Sequence, residues 1–448
     1  MLLFGGTSSS SELPFAPPRA ATLLDTYVQQ PDPAYGWHLR RRSDLGTGRL
    51  AEIILKSQRW RDTLWRHQLF VYKPAVVRDP SRALLLIGGG TWEDELARRT
   101  RGGDDNERFR ADAAFYSAAA DRLGAPLAVL RQVPSQPLFE TRLSEDAAIA
   151  YTFQRFLDTS EATWPLLLPM VKSVVRAMDC LGEFAESEWS LRPDRFTLWG
   201  SSKRGWTAWL TAAVDERVAA FAPLVIDLVN LPQQLPLQIQ SWGGFSDQLR
   251  NYTERNIPEQ LASPNGQALI KTIDPYHYRA RLRQPKLIVL GTNDRYWPLE
   301  SLNLYWNQLE GEKYVVYVPN AGHALGDPAR VFGGIAALHR HAAGELTLPK
   351  LSWTFTDGGS HIELAWRSDR RPAAVQVWTA SAPTRDFRDA RWSPTLVELN
   401  DSTTAGGAFR FRLPRPASGY VALFGEAQFN DPLTPFYLST TVHVVAAR

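Results

Sequence analysis

The chain has 448 residues, 44% hydrophobic and 22% charged, and its 50 basic and 47 acidic side chains leave a formal net charge of +3. That balance, without a long Lys/Arg run, gives no support to nucleic-acid binding. No apolar run reaches the roughly 20 residues that span a bilayer, and the single cysteine, Cys180, excludes an intrachain disulfide and argues against a thiolate metal cluster.

The length suits a large domain with a smaller one beside it, because single cores rarely grow far beyond about 300 residues. Residues 1–22 are rich in Ser, Pro and Ala and read as a flexible arm. The opening Met1-Leu-Leu-Phe-Gly-Gly6 lacks the basic start and full apolar stretch of a complete signal peptide. Four strand-like runs follow, at Trp37–Arg42, Ala51–Gln58, His67–Tyr72 and Ala83–Ile87. The first three alternate as antiparallel strands do, and the fourth is a continuous apolar run suited to a buried parallel strand. Helical spacing appears at Asn106–Leu123, a strand at Leu127–Gln132, and two helices over Glu145–Leu181 separated near Thr163-Trp-Pro165. Further strands are predicted from Arg195 to the turn at Gly200, then at Ala219–Ile226, Lys286–Leu290 and Tyr314–Val318. Between Asp227 and Tyr278 the periodicity fails, and residues 228–275 read as a cap-like insertion. From Pro349 the runs are short, aromatic or β-branched, and separated by turn residues, which reads as a β-sandwich of about 100 residues.

The stretch Arg195-Phe-Thr-Leu-Trp-Gly-Ser-Ser-Lys-Arg-Gly-Trp-Thr207 carries the chemistry. A strand runs into a sharp turn holding Ser202, then into a small-residue helix. This is how an α/β-hydrolase raises its nucleophile on an elbow, with the following backbone N–H groups facing the developing oxyanion. The usual G-x-S-x-G is stretched here to G-x-S-x-x-G, and a serine between glycines also occurs at ordinary turns. An acyl-transfer serine needs a base and an acid to orient that base, which in this fold follow as acid, then histidine. Leu287–Asp294 is a strand running into a loop that ends in a carboxylate, and Tyr314–His323 is a strand running into a loop that ends in histidine. The predicted triad is therefore Ser202, Asp294 and His323. Asp227, which ends the strand after the elbow helix, is the rival acid. His277 is the substitute base, although it precedes the acid.

The oxyanion hole is expected from the N–H of Lys203 and from Gly89 or Gly90 in Ile87-Gly-Gly-Gly-Thr-Trp92. The Lys203 and Arg204 side chains either attract an anionic substrate or form ion pairs that support the elbow. Trp92, Trp242 and Trp297 are candidate pocket walls, with Trp206 and Trp209 nearby in sequence. The cluster Asp104-Asp-Asn-Glu107 matches no calcium loop and reads as a solvated helix start. No metal or organic cofactor is called for.

On Gln132-Val-Pro-Ser-Gln-Pro-Leu138, Ser144-Glu-Asp146, Gly200-Ser-Ser-Lys-Arg-Gly-Trp-Thr207, Asp274-Pro-Tyr276, Pro319-Asn-Ala-Gly-His323 and Arg385-Asp-Phe-Arg388, the chain resembles the PhoPQ-activated pathogenicity-related family. The resemblance implies an α/β-hydrolase fold, a mostly parallel sheet with helices on both faces, followed by a small all-β sandwich. The loss of helical pattern near Pro349 places the first domain at residues 23–348 and the second at 349–448, and the resemblance also implies an exported protein and the same three residues as the triad. The expected activity is cleavage of an ester or amide carbonyl in a small-molecule, peptide or carbohydrate-derived substrate. The alternative is a non-catalytic binding or secreted signalling protein on the same scaffold.

Overall fold

The computed structural model describes residues 21–46, 48–97, 107–398 and 406–447. The arm expected over residues 1–22 falls largely outside that range, and its last residues are structured. Thr22 closes a capping box with Asp25, accepting its N–H while the Asp25 carboxylate accepts the Thr22 N–H, and so starts helix α1 (Leu23–Gln29).

Three long antiparallel strands follow: β1 (Gly36–Leu45), β2 (Gly48–Trp60) and β3 (Thr63–Lys73). Next come β4 (Arg82–Ile87), α2 (Glu107–Leu123), β5 (Leu127–Leu130), α3 (Glu145–Thr159), α4 (Leu167–Trp189), β6 (Arg195–Ser201), α5 (Lys203–Val214) and β7 (Val218–Leu224). The stretch without periodicity holds α6 (Leu231–Trp242), α7 (Arg250–Thr253), α8 (Ile257–Gln260) and α9 (Pro264–Ile273). Then β8 (Lys286–Gly291), β9 (Lys313–Val318) and α10 (Pro328–Ala342) complete this part. The strands join in the order β1-β2-β3-β5-β4-β6-β7-β8-β9, antiparallel as far as β5 and parallel beyond it. Antiparallel entry followed by β-α-β repetition is the α/β-hydrolase arrangement.

Continuous apolar strands form because both faces of this sheet are covered. Along β4, Ala83, Leu85 and Ile87 enter one core while Leu84 enters the other. The first core is closed by α4 (Met170, Val171, Val174, Leu181) and α5 (Ala208, Trp209), the second by α2 (Ala120, Leu123) and α10 (Ile335, Leu338). Cys180 is fully buried in α4, where burial pushes its thiol well above the ordinary range, so it is a core residue with no reactive character.

The C-terminal part is a sandwich of two antiparallel sheets. It contains β10 (Leu351–Asp357), β11 (His361–Ser368), β12 (Ala374–Ala382), β13 (Ser393–Leu396), β14 (Gly407–Pro414), β15 (Tyr420–Phe429), β16 (Phe436–Ser439) and β17 (His443–Ala446). One sheet runs β10-β11-β14; the other runs β13-β12-β15-β16, with β17 also on β15. Residues 437–445 form two strands and not one, because at Thr440 the side-chain Oγ1 accepts from Gly425 N at 3.0 Å where a strand would offer its backbone carbonyl. Both fragments remain antiparallel to β15.

Candidate active site

Ser202 sits between β6 and α5 with φ 58° and ψ −129°, a conformation that a non-glycine residue holds only when its surroundings impose it. Its N–H donates to Leu224 O on the neighbouring strand at 2.8 Å, and its carbonyl accepts from Trp206 N at 3.0 Å. The flanking glycines are required by close approach. A Cβ at Gly200 would lie 2.8 Å from the Arg204 carbonyl, and one at Gly205 would lie 2.8 Å from both Gly200 O and Ile226 Cγ2. The glycine that arrives one residue late thus performs the strand-to-helix contact itself, and the stretched spacing still builds the elbow.

Asp294 and His323 lie on loops after the adjacent strands β8 and β9, and they meet. His323 Nδ1 and Asp294 Oδ2 are 2.9 Å apart, while Asp294 Oδ1 accepts from Tyr296 N at 2.9 Å. An ionised carboxylate only accepts, so this bond puts the imidazole proton on Nδ1 and leaves a lone pair on Nε2. His323 Nε2 is buried and makes no hydrogen bond, so the bond to Ser202 Oγ is not closed in this arrangement. The Tyr296 ring lies against the imidazole, with centroids 4.2 Å apart, and lines the same pocket as Ser202.

Asp227 is turned elsewhere. It is buried and accepts from the Tyr305 hydroxyl at 2.7 Å. Burial pushes its carboxyl up to about 7; the Tyr305 bond opposes this, and the nearby Asp294 charge adds to it. His277 packs edge-on to Tyr276, and burial lowers its basicity further below that of a free imidazole.

The cations after Ser202 are engaged in ion pairs. Lys203 Nζ lies 2.9 Å from Glu145 Oε2 and 3.5 Å from Asp146 Oδ1. Arg204 forks onto Glu145 at 2.7 and 2.6 Å and donates from Nε to Val133 O. Burial would raise the Glu145 carboxyl, but the Arg204 hydrogen bonds and charge, then Lys203, hold it at about 2. Sequence reasoning had no means of pairing Glu145 and Asp146 with Lys203 and Arg204, which lie nearly sixty positions away.

Gly89 backs onto Arg204, where a Cβ would lie 2.5 Å from the guanidinium, and Gly90 borders a separate polar cleft with Thr91, Arg131 and Gln132. Gly89 therefore makes room for a side chain. Of the three tryptophans proposed as walls, Trp297 lines the Ser202 pocket. Trp92 lies near Arg66, 5.9 Å from ring centroid to guanidinium, and Trp242 is covered by Arg388 at 4.3 Å. The remaining walls come from the insertion (Leu231, Leu235, Leu249, Tyr252, Ile257, Leu261) and from Phe153 and Trp206. Counted to its open mouth the pocket is about 720 Å³. The cluster at 104–107 lies outside the described residues apart from Glu107, which begins α2. Among the described residues no group of three or more His, Cys, Asp and Glu could hold a metal ion, and no helix is long and apolar enough to cross a membrane.

The family model for PhoPQ-activated pathogenicity-related protein matches residues 24–388. The chain belongs to this family. It is also 28% identical over 444 residues to autocrine proliferation repressor protein A of Dictyostelium discoideum, covering 91% of this chain and 86% of that protein. Among solved structures, acetyl xylan esterase 1 of a Thermoanaerobacterium species superposes with a TM-score of 0.46 at 16% identity, over 70% of this chain and 92% of that one. A glucuronoyl esterase of Solibacter usitatus gives 0.40 at 14% identity, over 78% and 83%.

Proposed function

We propose that this member of the family is a serine hydrolase acting on an ester or amide carbonyl. The reading is carried by one observation: the Asp294–His323 hydrogen bond on the loops after β8 and β9, beside a serine held at φ 58° on the β6–α5 elbow. In the proposed reaction Ser202 Oγ attacks the carbonyl carbon as its proton passes to His323 Nε2. Asp294 holds the imidazole tautomer and stabilises the imidazolium. Lys203 N–H, at the head of α5 with no acceptor within the helix, is one oxyanion donor. His323 then gives its proton to the leaving oxygen or nitrogen, the C–O or C–N bond breaks, and water repeats the sequence to release the acid and restore Ser202.

A fluorophosphonate probe tests this reading: the protein labels, and Ser202→Ala abolishes labelling while the thermal transition is retained. The competing reading, a binding or signalling protein on a hydrolase scaffold, draws on the unpaired His323 Nε2. A folded wild-type protein that resists the probe decides for it.

A further inference from the structure

We infer that the group held beside Ser202 is an aliphatic acyl chain longer than acetyl. The inference rests on the hydrolase reading and extends it to a substrate class. The walls supplied by the insertion are mostly aliphatic: Leu231, Leu235, Leu249, Ile257 and Leu261. The few polar side chains at the pocket are already engaged. Asp146 accepts from the Tyr252 and Tyr296 hydroxyls at 3.2 and 3.5 Å, and Lys203 is held by Glu145 and Asp146. A sugar ring placed there would leave hydroxyls without partners, which costs free energy for each one desolvated. A hydrocarbon chain loses nothing polar and gains from burial. In the acyl-enzyme the acyl group stays bonded to Ser202 Oγ, and the pocket that Ser202 lines is the one built of these aliphatic side chains.

The test measures kcat/KM for p-nitrophenyl acetate, butyrate and octanoate beside methyl, butyl and octyl acetate. Each buried methylene contributes about a fourfold gain, so butyrate exceeds acetate by about 15-fold, while the alcohol series stays flat. Leu235→Trp, which narrows the slot, lowers the octanoate-to-acetate ratio, and Leu235→Ala restores tolerance of long chains. Acetate equal to or better than butyrate, or a preference that follows the alcohol chain, overturns the inference while Ser202 still labels with the probe. Loss of labelling is the separate failure of the hydrolase reading.

An independent set of contacts lies on the other side of the triad. Asn293, next to Asp294, directs Nδ2 at the carbonyls of Phe387, Arg388 and Ala390, the last at 2.7 Å. Asn320, three residues before His323, accepts from Trp392 N at 2.7 Å and donates to Trp392 O at 2.9 Å. The two loops are also joined directly, Asn293 N to Ala321 O at 2.9 Å and Asn320 N to Thr292 Oγ1 at 2.8 Å. The geometry points to the β12–β13 connection of the sandwich as the element that sets the acid and base loops, with Asn293 and Asn320 as positioning residues. This assigns the sandwich a part in the site.

In Asn320→Ala, kcat falls about 10- to 100-fold, as expected for a displacement on the order of an ångström, while KM changes little. Asn320→Asp, which keeps the acceptor for Trp392 N, recovers part of that loss. Asn293→Ala provides the same reading should the first variant not fold. A folded Asn320→Ala enzyme with kcat within twofold of wild type overturns the assignment, as does a loss that Asn320→Asp leaves unimproved.

Discussion

Asp227 and Asp294 are the two carboxylates that sequence order left in competition, and their environments separate them by stability as well as by rate. Asp227 is buried with its carboxyl at about 7 against an ordinary 3.8. Below pH 3.8 it is protonated in both the folded and the unfolded chain and costs nothing. Between 3.8 and 7 the folded chain keeps a proton that the unfolded chain has released, so stability falls as pH rises. Above 7 the full cost of the buried charge is present, about 4 kcal/mol from a shift of this size. Asp227→Asn keeps an acceptor for Tyr305 and removes the titration. Relative to this variant, wild type loses about 3 kcal/mol between pH 5 and pH 8. Urea denaturation of both proteins, followed by tryptophan fluorescence at several pH values, measures the difference. Parallel stability profiles would refute both the elevated carboxyl and the account of why Asp227 is unsuited to orient His323. The same variant retains most of its turnover, whereas Asp294→Asn, which disturbs the tautomer of His323, loses about 10⁴-fold in kcat; the reverse outcome makes Asp227 the acid.

Further outcomes follow from the elbow and its supports. Gly205→Ala forces a methyl to within 2.8 Å of Gly200 O and Ile226 Cγ2; it lowers stability by about 1–3 kcal/mol and slows probe labelling of Ser202, and a variant as stable as wild type contradicts the close approach. Glu145→Gln removes a carboxylate held at about 2, well under its ordinary 4.5. The support Glu145 provides is complete above pH 4.5 and is lost as pH falls through 2, so the variant is less stable at pH 7 and converges with wild type in acid. Denaturation curves at pH 7 and pH 2.5 check this.

Much of the framework was legible from local pattern. The apolar runs that became β4, β6, β8 and β9 are continuous because their strands are covered on both faces, and short-range composition reports such burial directly. The helices α6 to α9 were not legible, since they are short, three carry proline at their starts and α6 also holds Pro236 inside. Strand β13 was missed for the opposite reason, as all four of its residues are exposed. At Gly89 a glycine's freedom is visible in sequence, while the Arg204 side chain that a Cβ there would meet is not.

The order of serine, acid and histidine, each at a strand end, was determined by the sequence alone, because strand periodicity and turn residues are properties of neighbouring positions. Which carboxylate meets His323, what neutralises Lys203 and Arg204, that aliphatic residues of the 228–275 stretch wall the pocket, and that residues 387–392 bond the loops carrying Asp294 and His323 were decided only by tertiary structure. Each depends on side chains far apart in the chain, and their meeting is set by the packing of both faces of one sheet.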